Sequence, residues 1–137
     1  MHDRPTIAEL LDAVQKFLDE EIVPATKGRR QFLARVAANC VRMVEREIAA
    51  EPRHVADAGA GLDTLLGPEP AADEERGPVD VVGRRLEHLC DRIRSGELDE
   101  GCEEWDDLLA FARERVRQKL EISNPKLLAA DAKRGIR

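Results

Sequence analysis

RRQFLARVAANCVRMVEREIAA, residues 29–50, is the stretch whose reading decides the fold class. Phe32, Leu33, Val36, Ala37, Cys40, Val41, Met43, Val44 and Ile48 recur about once per helical turn. Placed at about 100° per residue they fill a broad arc. Arg35, Arg42 and Arg46 gather on the opposite side. A strand would alternate apolar and polar residues with a period of two, and no such run of useful length occurs in the chain. The stretch therefore predicts a helix. So wide an apolar arc predicts a central helix that touches several neighbours.

Working outward, the N-terminal side carries Thr6-Ile-Ala-Glu9, a capping-box pattern that opens a helix. Ile7, Leu10, Leu11, Val14, Phe17, Leu18 and Ile22 follow as a 3.6-residue stripe, which Pro24 is expected to stop. On the C-terminal side Glu51-Pro52 reads as a new helix start, because proline is favoured at the first helical position. Val55, Leu62, Leu65 and Leu66 make a weaker stripe up to Gly67. Residues 67–78, rich in proline, glycine and acids, read as a surface loop. A fourth helix is expected from about Val79 to Ser95, with Val79, Val82, Leu86, Leu89, Cys90 and Ile93 on its apolar face and Gly96 as its C-terminal cap. An acidic stretch with Asp99 as an N-cap leads to a fifth helix, whose face is Trp105, Leu108, Leu109, Ala112, Val116 and Leu120. Asn124-Pro125 ends it, and the tail over 126–137 is expected to fray. The sum is one all-α domain over residues 1–137, a bundle of four main helices plus one shorter helix.

Composition narrows the function. The net charge is −6 and aromatic residues are 3% of the chain, with no tyrosine. A polyanionic partner needs a basic surface, and single-stranded nucleic acid needs stacking platforms, so no nucleic acid is expected. No apolar run approaches the roughly 20 residues that span a bilayer. The N-terminus has no basic region followed by an apolar stretch, so no secretory signal is read. Cys40, Cys90 and Cys102 are odd in number and widely spaced, which suits reduced thiols in a cytoplasm. Cys40 and Cys90 fall on apolar faces, where a buried inert thiol is usual.

No complete catalytic set is found. Glu51-x-x-His54 has the spacing of a helical metal pair, but a di-iron bundle needs a second such motif and further inward carboxylates. His88 projects away from its helix's apolar face and reads as solvent-facing. Gly59-Ala-Gly61 has no preceding strand and no third glycine, so close helix packing explains it better than a phosphate loop. No metal and no cofactor is expected. Two features stand out. Glu47 falls inside the apolar arc near Met43, where a carboxylate must reach outward or find a partner. The Arg35, Arg42 and Arg46 stripe is a solvated face or a surface for an acidic partner.

Three stretches carry a family resemblance: Arg4 to Leu11 with Phe17-Leu18; Gly28-Arg29 through Val36-Ala-Ala-Asn39 to Val44-Glu-Arg-Glu47; and Trp105 through Lys119-Leu120 to Asn124-Pro125. Together, across nearly the whole chain, they resemble a bacterial domain-of-unknown-function family of small all-helical proteins. The resemblance implies a gene neighbourhood of acyl-CoA dehydrogenase-like and aminoglycoside-phosphotransferase-like proteins. It marks Asn39, Arg46, Glu47 and Asn124 as positions to watch. The leading expectation is a non-catalytic helical accessory or interaction protein, with one of those enzymes as partner. The alternative is a ligand-binding domain or enzyme with a polar site between helices around Asn39, Glu47 and Arg46. A few-aromatic bundle also leaves room for a homodimer that buries surplus Leu and Val.

Overall fold

Helix dominates the computed structural model, which describes residues 4–68 and 77–134, and no strand occurs among those residues. The elements are α1 (Ile7–Lys16), a π-helical segment (Phe17–Ile22), α2 (Val23–Ala25), α3 (Gly28–Leu66), α4 (Pro78–Arg94), α5 (Trp105–Ser123) and α6 (Pro125–Arg134). The all-α expectation holds. Most of the loop expected over 67–78 lies outside the described residues. No helix among the described residues is long and apolar enough to cross a membrane.

Four boundaries differ from the sequence reading, one being the start of α5, which opens at Trp105 with Glu104 rather than Asp99 at its N-cap. The first helix does not stop at Pro24: its last turns widen to π geometry over Phe17–Ile22 and continue through Pro24 to Ala25. A proline ring collides with the carbonyl four residues back in a regular α-helix. The widened turn just before Pro24 relieves that collision. Thr26, with φ −116° and ψ 161°, ends the element instead. Pro52 does not open a new helix either, because α3 runs through it from Gly28 to Leu66. The segment after Pro125, expected to fray, is helical to Arg134.

The chain divides into two compact units, Met1–Ala50 and Glu51–Arg137. In the first, Thr6 caps α1 as its pattern predicts. The Thr6 backbone N–H donates to Glu9 Oε2 at 2.7 Å, and the Glu9 N–H donates to Thr6 Oγ1 at 3.2 Å. The arm formed by α1, the π segment and α2 meets the first half of α3 through polar contacts. Arg42 donates to Asp19 at 2.6 Å, and Gln31 donates to the Val23 carbonyl at 3.0 Å. The buried positions of this unit, among the described residues, are the small Ala34 and Ala38.

The second unit holds the large apolar core: Leu62, Leu65, Leu89, Leu98 and Leu108, with Leu66, Val82, Leu86, Cys102, Trp105 and Phe111 against them. Close approach is built in at Gly61, where a Cβ would stand 2.5 Å from Phe111 Cδ2. Gly61 thus has the packing role expected for the Gly59-Ala-Gly61 stretch, whereas Gly59 has no neighbour within 4 Å of a Cβ. The end of α4 is a Schellman turn: the Gly96 N–H donates to the Ile93 carbonyl and the Glu97 N–H to the Arg92 carbonyl. Gly96 takes φ +79°, which only glycine adopts without strain. Leu98 follows it into the core, fully buried.

Candidate functional site

Two features are built from unusual placements: a polar cluster in the second unit and an apolar surface on the first. The cluster lies where the second half of α3 meets α5. Arg53 donates to both oxygens of Glu121 at 2.8 and 2.7 Å. His54 is buried, with its Nε2 3.3 Å from Glu121 Oε2. One turn along, the buried Gln118 amide donates to Asp57 at 3.1 Å and to Glu114 at 3.2 Å, and its carbonyl accepts from Arg115 at 2.8 Å. Burying a polar amide costs stability unless its hydrogen bonds are replaced. Here they are, and no buried side-chain nitrogen or oxygen lacks a partner among the described residues.

Electrostatics follow from this pairing. Hydrogen bonds from Arg53, then from His54, hold the Glu121 carboxyl below its ordinary value of 4.5. Glu114 is lowered in the same way, chiefly by its hydrogen bond from Arg117. A histidine beside a carboxylate is the raw material of acid–base chemistry. In this case the imidazole Nε2 already faces Glu121 and the Arg53 guanidinium, 3.0 Å away. The arrangement acts as a clamp between α3 and α5. Glu51, the other half of the Glu-x-x-His spacing, is exposed, and no group of three or more metal-ligating side chains forms among the described residues.

A second set of cations secures the end of α3. Arg85, whose side chain is only 8% exposed, donates to Asp63 Oδ1 and to the Gly67 carbonyl, both at 2.5 Å. Arg92 donates to the Leu65 carbonyl at 3.1 Å and to Glu97 at 3.0 Å. The last carbonyls of a helix have no partner within it and carry the negative end of its dipole, so guanidinium groups satisfy both needs. Sequence reasoning missed Arg85, Arg92 and Gln118. The signal was present: Arg85, Leu89 and Arg92 share one helical stripe, as do Leu108, Phe111, Arg115 and Gln118.

The first unit inverts the expected packing of its apolar arc. Phe32, Val36, Cys40, Val44 and Ile48 form a ridge with every fourth residue, and all are exposed, as is Leu33 beside them. On α1 and the π segment, Ile7, Leu10, Val14 and Phe17 are exposed as well. Their spacing of three, four and three residues is that of a coiled-coil seam. Phe32 reaches 64% exposure, and Phe17 55%. Cys40 and Cys90 are therefore exposed thiols rather than buried ones. His88 is exposed, as its position predicts.

Of the positions singled out from sequence, Arg35, Asn39, Arg42 and Arg46 share one stripe of α3, and Glu47 falls on another face of it. Asn39 is exposed, with its amide 3.8 Å from the Met43 sulfur, and Glu47 is exposed on the outer arc of α3. Arg42 is bound to Asp19, Arg35 is exposed, and Arg46 is half-buried with an interaction of its own. Asn124 caps α6, its side-chain oxygen accepting from the Leu127 N–H at 3.3 Å.

The model of a family described as a domain of unknown function (DUF6285) matches residues 24–127, well over half the chain. The chain belongs to that family. No curated protein and no solved structure matches it. The DUF6285 match starts at Pro24, so the resemblance seen in Arg4–Leu11 and Phe17-Leu18 falls outside it, while the α3 ridge and the clamp of α3 and α5 fall within.

Proposed function

We propose that this DUF6285 protein is a helical interaction protein that works through assembly rather than by chemistry of its own. One observation carries the reading: nine large apolar side chains of the first unit stand 42–64% exposed, while its buried positions, among the described residues, are two alanines. A soluble monomer seldom leaves so many large apolar groups in one small unit uncovered. The paired state of the polar cluster supports the same reading, since each named side chain there already holds a structural partner.

The enzymes to test as partners are those the family resemblance implies, an acyl-CoA dehydrogenase-like protein and an aminoglycoside-phosphotransferase-like protein. An accessory role predicts that the full chain co-purifies with one of them and changes its turnover by a measurable factor. No capture, together with unchanged activity for both enzymes, would discard the accessory role.

A further inference from the structure

We infer that the apolar surface of the first unit is covered by the same unit of a second copy, the arm of one chain lying against the α3 ridge of the other. This rests on the interaction reading above and names its partner. Three observations point to a second copy.

The first is shape. A ridge with every fourth residue, such as Phe32, Val36, Val44 and Ile48, packs into the grooves of another helix. The seam of Ile7, Leu10, Val14 and Phe17 is likewise a pattern that helices bury against helices. One chain supplies both halves of such a contact, as a two-fold interface requires.

The second is charge. The arm carries Glu9, Asp12, Asp19, Glu20 and Glu21 against Lys16. The first half of α3 carries Arg29, Arg30, Arg35, Arg42 and Arg46 against Glu45 and Glu47. Arg42 and Asp19 already pair within the unit. Arg29, Arg30 and Arg35, with Glu20 and Glu21, remain exposed. Arg29 and Arg30 share the ridge's own face, while Arg35, Arg42 and Arg46 lie on the opposite side. An acidic arm and the basic start of the ridge are complementary between two copies, and such fields set register and partner choice.

The third is area. At on the order of 100 Å² left open per side chain, the nine residues present on the order of 900 Å² of surface, close to the ~800 Å² per partner of a standard stable interface.

The experiment is charge reversal read by light scattering on the full chain. The wild-type protein should run at twice 15.3 kDa at micromolar concentration. A variant with Arg29→Glu and Arg30→Glu opposes two acidic surfaces and should shift toward 15.3 kDa. A variant with Glu20→Lys and Glu21→Lys opposes two basic surfaces and should do the same. Mixing the two variants should restore the doubled mass, because each then offers the surface the other lacks. Circular dichroism of each variant checks that the helices persist. A variant that loses its helix is replaced by the single change Val36→Glu, which should also halve the mass. A wild-type mass of 15.3 kDa at all concentrations overturns the second copy. If that monomer still captures one of the enzymes above, the interaction reading stands without it. If it captures neither, both fall. Variants that stay dimeric alone, or that fail to recombine, also overturn the arm-to-ridge pairing.

Discussion

Gly61 and Gly59 sit two residues apart on α3 and have opposite surroundings. A methyl group at Gly61 would strike the Phe111 ring, whereas one at Gly59 meets nothing within 4 Å. Gly61→Ala should therefore lose about 1–3 kcal/mol through overpacking, and Gly59→Ala should gain about 0.5–1 kcal/mol through helix propensity. Thermal melts of the two variants check both signs. Glu121 gives a pH dependence. Its folded-state pKa is depressed by Arg53, so its contribution is complete above the ordinary value of 4.5 and is lost as pH falls through the folded value. Stability should fall as pH is lowered below about 4.5, and Glu121→Gln should flatten that fall in denaturant titrations. At this scale the sequence is partly legible. Thr6, Gly96 and His88 take the places their local patterns predict. Gln118 and Arg85 do not, because burying a polar side chain depends on partners that stand far along the chain, such as Asp57 and Asp63.

For single elements, the capping box is the clearest local device. Thr6→Ala removes the acceptor for the Glu9 N–H and should cost about 1 kcal/mol. Hydrogen exchange should then accelerate over the first turns of α1 and leave α5 unchanged. Equal protection in the variant would show that tertiary contacts, not the cap, hold this end. Helix identity was readable from apolar periodicity in α1, α3, α4 and α5 but not in α6, whose segment reads as a fraying tail. Asn124-Pro125 ends α5 as expected, but the boundaries expected at Pro24 and Pro52 do not occur. Pro24 sits behind a widened turn, and Pro52 lies within α3. Proline marks a local steric conflict, but neighbouring backbone can absorb it, and composition does not reveal when it does.

On the scale of the whole molecule, the two units differ in how they are built. The second is centred on leucines with a satisfied polar clamp at α3 and α5. The first has Arg42–Asp19 and Gln31–Val23 contacts and half-buried Leu11, Leu18, Ile22, Val41 and Met43 around two buried alanines, with nine large apolar residues exposed. The arc on residues 29–50 reads from sequence as the face of a central helix with several neighbours, whereas its large residues Phe32, Leu33, Val36, Val44 and Ile48 stand exposed in the structure. Sequence periodicity marks such a surface, but it is silent on whether the neighbour belongs to the same chain. Cys40 stands on the exposed ridge, and Cys90 is an exposed thiol in the other unit, so the chain carries its own probe and reference. The most direct measurement is the alkylation rate of both thiols across a dilution series. Covering of the ridge by a second copy predicts that Cys40 slows with rising protein concentration while Cys90 keeps its rate. Equal, concentration-independent rates for the two thiols would contradict it.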